Sequence, residues 1–281
     1  VTVSVRVNNT SYGNTGSFQI IKGDSIASRG SSIRVNSSYN VYSASPKSST
    51  NEYTYSFSSW SGIPSGAQYA NFSITANFTR AVRQYTVYIN VDSSTNYGTV
   101  SASRVYNVPY GSRITYGKDS RGNGTMTITK RDSNEVVTVT ATPNASSGQY
   151  KYTFDSWSPT TSSVSGNTTI YAKFARELNS FDVNLTVTSD ASASLSNGLG
   201  GYFTYNSASI TEIEDVVYGT GIAKTGNNSF TIYPPSGFGG ATTYYVVPNI
   251  GYTFTRFEYR TSGGSWRTLG TSSTSVTGAM E

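Results

Sequence analysis

An internal repeat constrains the fold of this chain more than any other feature of its sequence. An aromatic marker occurs three times, as YSFSSW at residues 55–60, YTFDSW at 152–157 and YTFTRF at 252–257. Collinear repetition at a nearly constant spacing is typical of modules that fold one after another along a chain. The sequence therefore predicts a tandem array with three members.

A second marker follows the first in each copy. NFSITANFTR at residues 71–80 corresponds to NTTIYAKFAR at 167–176, and a degenerate copy lies at 276–280. Because the two markers keep the same order, the chain divides into three predicted modules. Their predicted boundaries are 1–84, 85–178 and 179–281.

The residue pattern inside each module predicts strands. Val, Ile, Tyr and Phe supply most of the apolar residues, with Gly and Asn between them, which favours strands joined by turns. Ile74, Ala76 and Phe78 alternate with polar residues, as in a half-buried strand. No segment keeps the 3.6-residue period of a helix. We expect an all-β chain of three small modules with β-sandwich or β-grasp-like sheets, and short links at 79–84 and 175–180 favour a rod-like array.

The chain has no cysteine and no histidine, which excludes several kinds of functional site. Ser-His-Asp and Cys-His catalytic sets, His-ligated zinc and thiolate clusters all need the missing residues. Glu212, Glu214 and Asp215 form the only acidic cluster in the sequence, and we interpret it as a solvated edge strand or at most an adventitious calcium site. The sequence predicts no catalytic residue, no metal site, no cofactor and no enzymatic activity.

The charge pattern argues against a nucleic-acid partner. The net charge is +5 with a pI of about 9.2, but the basic residues are scattered, whereas a nucleic-acid interface needs them clustered on one face. No apolar run approaches the roughly 18 residues of a transmembrane helix. The chain opens on an alternating segment without Met or a signal peptide, so we expect a mature form or an excised piece of an extracellular, cell-surface protein.

Large aromatic residues are the candidates for binding. Trp60, Trp157 and Phe257 occupy corresponding positions of the repeat, so we interpret them as core residues of a repeated strand rather than as platforms for sugars. Trp266 and Arg267 lie in a turn-rich stretch with no counterpart in the other modules. They are candidate contact residues for a glycan or a neighbouring subunit, and local hairpin packing is the alternative.

Asn-x-Ser/Thr sequons make the chain a candidate glycoprotein. Their placement supports this more than their number, which only modestly exceeds chance. Asn77 and Asn184 fall on predicted outward faces, and Asn123 and Asn227 fall in corresponding turns. The candidate glycosylation sites are Asn8, Asn9, Asn36, Asn71, Asn77, Asn123, Asn144, Asn167, Asn184 and Asn227.

The second module resembles a known family. Its segments VTVTATPN at 137–144, YTFDSWS at 152–158 and NTTIYAKF at 167–174 are similar to the internalin-type B-repeats, also called Listeria–Bacteroides repeats. The resemblance covers nearly all of module 2, the second half of module 1 and scattered parts of module 3. It implies small β-rich modules that sit in tandem in secreted and cell-surface proteins, as spacers, adhesin stalks or assembly units, and it carries over no catalytic residue.

Two non-enzymatic functions remain after these exclusions. The first is a structural subunit that self-assembles into an extracellular filament, sheath or surface layer, and the second is the stalk or glycan-binding segment of an adhesin. The sequence shows no sorting motif or anchor and ends on the closing strand of module 3, which favours assembly slightly. In a homo-oligomer or polymer, the terminal strands at 1–7 and 276–280 are candidates for strand addition between copies. The alternative is that both pair within their own modules.

Overall fold

The computed structural model describes residues 1–188 and 200–280. In this part of the chain the regular structure consists of strands and one short 3-10 helix, Ser93–Thr95, which confirms the predicted all-β class. The strands form several small separate sheets, consistent with tandem β modules. The described residues contain no helix that is long and apolar enough to cross a membrane.

Module 1 is a small β-sandwich. Its strands are β1 (Thr2–Val7), β2 (Gly16–Gln19), β3 (Ile26–Arg29), β4 (Ser32–Val35), β5 (Tyr39–Ser43), β6 (Tyr53–Ser61) and β7 (Phe72–Val82). One sheet has the order β2-β1-β7-β6 and the other β3-β4-β5. Val3 and Ile74 from the first sheet share one buried core with Ile33 from the second, as expected for two sheets packed face to face.

Module 2 repeats this plan with longer strands. The strands are β8 (Gln84–Val91), β9 (Gly98–Val100), β10 (Arg104–Pro109), β11 (Arg113–Lys118), β12 (Gly124–Thr129), β13 (Val136–Pro143), β14 (Tyr150–Ser158) and β15 (Thr168–Leu178). They form sheets of order β10-β8-β15-β14 and β11-β12-β13-β9. Alternate residues such as Val87, Met126 and Ile170 are fully buried, so each sheet turns an apolar face inward.

Module 3 diverges from the other two. Its strands are β16 (Ser180–Asn184), β17 (Gly201–Tyr205), β18 (Ala208–Ile210), β19 (Glu212–Val217), β20 (Gly221–Lys224), β21 (Ser229–Tyr233), β22 (Thr242–Pro248), β23 (Glu258–Tyr259), β24 (Arg267–Thr268) and β25 (Thr274–Ser275). A six-stranded sheet, β18-β17-β22-β21-β20-β25, accompanies the pairs β16-β19 and β23-β24. Its own core includes Phe203, Phe230 and Phe257.

The sheets and the contact density divide the chain differently. Every sheet draws its strands from one predicted module, with Gln84 at the boundary. By density of contacts the chain forms two compact units. The first comprises Val1–Thr142 and Phe154–Lys173, and the second Pro143–Thr153 and Phe174–Glu281. Module 2 therefore contributes to both units, because its β14 and β15 each continue from one unit into the other.

The first and last strands of a module run parallel and side by side. β1 pairs with β7 in module 1, and β8 pairs with β15 in module 2. Module 3 keeps one parallel bridge of this kind, between Val183 and Met280. Parallel neighbours require a crossover connection. The chain therefore arrives at one end of this strand pair and leaves at the other, which leads it directly into the next module.

The links between modules are single residues. Arg83 alone separates β7 from β8, and Asn179 alone separates β15 from β16. The expectation of links over 79–84 and 175–180 is therefore wrong. It fails because the hairpin of β6 and β7 stays paired to the last residue of β7, so the closing strand continues through most of the segment where a short link was expected.

Both chain ends pair within their own modules, but the predicted closing strand at 276–280 is wrong: the regular strand there is β25, and the described residues 276–280 form only isolated bridges at Met280. β1 lies between β2 and β7, and its side chains Val3 and Val5 are buried. At the other end, Val276 and Met280 are buried, and Met280 bridges to Val183. Of the two alternatives for β1, the structure therefore shows pairing within its own module, since its backbone groups are paired on both sides.

Candidate functional site

The junction between modules 1 and 2 is built around Arg83. Its backbone N–H donates to the carbonyl of Glu52 at 2.8 Å, and its own carbonyl accepts from the N–H of Tyr110 at 2.9 Å. Its guanidinium Nη1 donates to the carbonyl of Thr50 at 3.1 Å. One linking residue therefore binds the hairpin turn behind it and the strand end ahead of it.

Asn179 makes the same set of bonds between modules 2 and 3. Its N–H donates to the carbonyl of Gln149 at 2.9 Å, and its carbonyl accepts from the N–H of Tyr218 at 2.7 Å. Its Nδ2 donates to the carbonyls of Ser147 and Gly148 at 2.7 and 3.0 Å. The repeat places Gln149 and Tyr218 where module 1 and module 2 have Glu52 and Tyr110, so the second junction copies the first.

A stacked cation supports the turn at both junctions. The guanidinium of Arg80 lies 4.3 Å from the ring centroid of Tyr53, and that of Arg176 lies 4.7 Å from the ring of Tyr150. Each tyrosine ends a turn whose backbone is closed by hydrogen bonds to the residue three positions earlier. A cation over a ring face is attracted by the ring quadrupole, so the stacking holds the turn against the closing strand.

An ion pair and a tyrosine hydroxyl distinguish the first junction. Arg131 Nη1 donates to Glu52 Oε1 at 2.8 Å, and Tyr85 Oη donates to the carbonyl of Asn51 at 2.6 Å. The hydrogen bond from Arg131 holds the pKa of the Glu52 carboxyl below its ordinary value and raises the pKa of Arg131. At the second junction Gln149 replaces Glu52, so this pair belongs to module 1 and module 2 alone.

Sequence reasoning missed these junction residues. Arg83 and Asn179 lie in segments that looked like plain links, and Glu52 and Arg131 are widely separated along the chain. A usable signal was present, since Arg83 and Asn179 occupy the same position after the second marker. The arrangement satisfies the backbone groups at each linking residue.

The repeated aromatic residues lie in the cores of their modules. Trp157 is 5% exposed, and its Nε1 donates to the carbonyl of Thr125 at 3.1 Å. Phe257 is also buried, and Trp60 is half-buried with an indole N–H that has no acceptor in the described structure. The structure thus places all three within the hydrophobic packing of their modules, and Phe257 also contributes to the wall of a cleft in module 3.

In module 1 a β-bulge brings the two aromatic residues of the first marker to the same face. In module 1 the register shifts between Phe57 and Ser59, so Phe57 and Trp60 both turn inward although three positions separate them. Their ring centroids are 5.5 Å apart. Phe154 and Trp157 have the same separation, 5.5 Å. The tilted aromatic pair therefore recurs at the corresponding positions of module 2.

Trp266 lies on the surface of module 3. It is 50% exposed, and the guanidinium of Arg260 lies 4.7 Å from its ring centroid. Arg267 is paired with Tyr259 in the ladder of β23 and β24, so the cation on the indole is Arg260 and not the neighbouring Arg267. Trp266 directly precedes β24 in the hairpin of β23 and β24, and half of the surface of its side chain is accessible to solvent.

A cleft of about 710 Å³ lies beside this hairpin. Phe203, Phe254 and Trp266 contribute apolar walls, and Arg256 and Glu258 contribute charge at its rim, where they form an ion pair of 3.0 Å. Thr188 and Gly200 also line it, and the residues between them lie outside the described chain. We therefore assign no ligand to this cleft.

The candidate glycosylation sites fall into groups according to the hydrogen bonds of their asparagine side chains. Four asparagines donate a hydrogen bond from Nδ2 to the protein: Asn8, Asn36, Asn77 and Asn123. Five others are exposed and have no such bond in the described structure: Asn71, Asn144, Asn167, Asn184 and Asn227. Asn9 is half-buried, and its Oδ1 accepts from the N–H of Ser11 at 2.8 Å.

The acidic residues of β19 are placed on the surface. Glu212, Glu214 and Asp215 are exposed, and Asp215 Oδ1 accepts a hydrogen bond from Ser180 at 3.3 Å. Within residues 1–188 and 200–280, no group of three or more acidic side chains is arranged to hold a metal ion.

Comparison with known proteins gave no match among family models, curated proteins or solved structures.

Proposed function

We propose that this protein is an extracellular structural subunit whose tandem β modules self-assemble into a surface filament, sheath or layer. The repeated junction is the observation that carries the proposal. Two joints made by Arg83 and Asn179 use the same backbone and side-chain bonds to link modules in series. A protein that keeps one joint design through divergent modules is suited to transmit tension or define spacing along an extracellular structure.

Chain topology supports the same proposal. The parallel pairing of first and last strands leads the chain through module 1 and module 2 from one end of the strand pair to the other. At each joint the linking residue lies between two strands, and each of these strands is hydrogen-bonded within the sheet of its own module. Without cysteine there is no disulfide to add stability outside the cell, so backbone pairing has to supply it.

An adhesin stalk or glycan-binding segment is the second candidate. The half-exposed Trp266 under Arg260 favours it, because exposed aromatic residues beside cations are common anchors of binding surfaces. The same serial joints would serve as spacers between a cell surface and a target. The candidate glycosylation sites fit either function.

Electron microscopy of the native material distinguishes the two functions. Ordered polymers are expected if the protein is an assembling subunit, and isolated particles of monomer size would contradict assembly and favour the stalk. The purified full chain should be imaged across a concentration series, with analytical ultracentrifugation in parallel. A sedimentation coefficient independent of concentration would also contradict self-assembly.

The role of β1 in polymer growth needs a separate experiment. Because β1 is paired on both sides, addition to another copy would require this strand to leave its own module. The exposed residues Ser4 and Ser17 are opposite one another in β1 and β2. A Ser4→Cys, Ser17→Cys disulfide in this cysteine-free chain would lock β1 in place. Polymers that form equally well when the lock is oxidised would exclude strand exchange, and polymers lost only on oxidation would support it.

A further inference from the structure

The outer face of the β10-β8-β15-β14 sheet carries tyrosines that folding does not explain. Val87 and Ile89 of β8 are fully buried, so Tyr88 between them points outward. Ile170 and Ala172 of β15 are likewise buried, and Tyr171 between them is 39% exposed. Two aromatic rings thus project from neighbouring strands on the side of the sheet that faces solvent.

Arg104 adds a positive charge to these rings. Its guanidinium lies 5.6 Å from the ring centroid of Tyr88, which is its direct neighbour across β8 and β10. Arg104 Nη1 donates to the hydroxyl of Tyr106 at 3.2 Å, and Tyr106 is 56% exposed. Thr169 lies opposite Tyr88 on this outer face, and the exposed Asn90 lies opposite Tyr171. We call the surface formed by Tyr88, Arg104, Tyr106 and Tyr171 the tyrosine–arginine face.

The charge of Arg104 is not neutralised by the protein. No carboxylate lies within 4 Å of its guanidinium in the described part of the chain. Lys173, two residues beyond Tyr171, is already 3.9 Å from the carboxylate of Asp92. Among the residues that the structure describes, Arg104 therefore gives the tyrosine–arginine face an unneutralised cation between aromatic rings, and its charge complements an anionic ligand.

Module 1 shows that the fold does not require these residues. The same strands and register place Ser4 and Thr75 where module 2 has Tyr88 and Tyr171. Ser17, opposite Ser4, takes the position of Arg104. At these three positions module 1 has small polar residues, so Tyr88, Tyr171 and Arg104 are particular to module 2; the outer-face cation of module 1, Arg6, takes the position of Asn90 instead.

We propose that the tyrosine–arginine face binds an acidic polysaccharide. Exposed tyrosine rings offer flat apolar surfaces with a hydroxyl at the edge, which suits the faces and hydroxyl groups of sugar rings. The planar guanidinium of Arg104 matches a carboxylate or sulfate in two-point hydrogen bonding. A nucleic acid fits less well, since its affinity comes from neutralising many phosphates and Arg104 carries a single charge. Tyr106 is a positioning residue, because it holds Arg104 through its hydroxyl.

Affinity electrophoresis of the full chain tests the proposal. Native gels should contain polygalacturonate, which supplies carboxylates, or dextran sulfate, which supplies sulfates, with neutral dextran as the control. Retardation is expected in at least one acidic gel and not in neutral dextran, and the pair of acidic gels identifies the anion. Equal retardation in neutral dextran, no retardation in either acidic gel, or tighter binding to single-stranded oligothymidylate in solution would overturn the proposal.

Substitutions connect the binding to this face. Arg104→Gln and Tyr171→Thr, the second of which installs the residue of module 1, should each weaken binding about tenfold or more. Tyr106→Phe should weaken it less, because the ring remains while the hydrogen bond to Arg104 is lost. Arg6→Gln removes an equal charge from the corresponding sheet of module 1 and should leave binding unchanged.

Controls separate binding from folding and from assembly. Each variant should keep the circular-dichroism spectrum and melting temperature of the parent chain. An equal loss with Arg6→Gln would show attraction by net charge alone and would overturn the proposal. Polymer formation by these variants, examined by microscopy, reports on the structural function independently, so failure of one proposal is distinguishable from failure of the other.

Discussion

Arg131 of module 2 donates a hydrogen bond of 2.8 Å to the carboxylate of Glu52 in module 1. The two residues meet because the turn that contains Glu52 is bound to the linking residue Arg83. Arg131 follows the end of β12 and reaches this turn from module 2. Both side chains remain partly exposed, so solvent screens the pair and its contribution to stability is modest.

The Glu52–Arg131 pair should make the first junction sensitive to acid. The pKa of Glu52 is lowered by the hydrogen bond from Arg131, so the contribution of the pair is complete above the unfolded-state pKa and is lost as the pH falls through the folded-state pKa. Titration of the Glu52 carboxyl carbon by NMR should give a midpoint below the ordinary value of about 4.3. Arg131→Gln should raise that midpoint, and an unchanged midpoint would show that the pair is not formed in solution.

The linking residues should resist hydrogen exchange. The amides of Arg83 and Asn179 donate to the carbonyls of Glu52 and Gln149. They should therefore exchange at least about tenfold more slowly than the amide of Ser146, which serves as the reference. A tenfold difference in rate corresponds to about 1.4 kcal/mol of free energy for opening the hydrogen bond. NMR-detected exchange on the full chain measures this directly. Rapid exchange at both linking residues would mean that the joints are open in solution.

Trp157 and Trp266 should respond differently to truncation. Trp157→Ala removes a buried indole and its hydrogen bond to Thr125, and it should cost about 3 to 5 kcal/mol of unfolding free energy. Trp266→Ala removes a half-exposed ring stacked by Arg260 and should cost less than about 1 kcal/mol. Urea denaturation monitored by circular dichroism compares them, and a tolerated Trp157→Ala would contradict a core role.

Gly124 should be a steric requirement of module 2. A Cβ at this position would overlap the ring of Phe154, which is itself buried, so Gly124→Ala should cost about 1 to 3 kcal/mol through overpacking. Gly166→Ala is the matched control, because a Cβ there meets open space. Equal melting temperatures for both variants would show that Phe154 moves aside freely.

Glycan occupancy should follow the contacts of the asparagine side chains. Asn8 donates to the carbonyl of Phe78 and accepts from its N–H, both at 2.9 Å, so a glycan on its Nδ2 would compete with a side chain that two hydrogen bonds hold against the sheet. Asn144 and Asn227 are exposed, and within the described residues no such bond holds their side chains. In native material that carries N-glycans, glycopeptide mass spectrometry should find Asn144 or Asn227 occupied and Asn8 bare, and the reverse order would contradict the prediction.

Residue order by itself determined the strand character, the repeat and the direction of many side chains. Alternation placed Ile74, Ala76 and Phe78 on one face, and all three are buried. A strand has a two-residue period that needs no knowledge of its neighbours, so the inward face could be assigned locally. The lack of cysteine and histidine also excludes whole classes of chemistry, however the chain folds.

Only the tertiary structure decided which strands become neighbours and what meets at their edges. Backbone hydrogen bonds are alike for every residue, so the pattern of β1 could not say whether it lies at an edge or between β2 and β7. The bulge near Ser59 reverses the alternation that would separate Phe57 from Trp60. The partners Glu52 with Arg131 and Tyr88 with Arg104 are likewise set by packing between distant segments, because proximity in space follows from sheet order and register rather than from the spacing of residues along the chain.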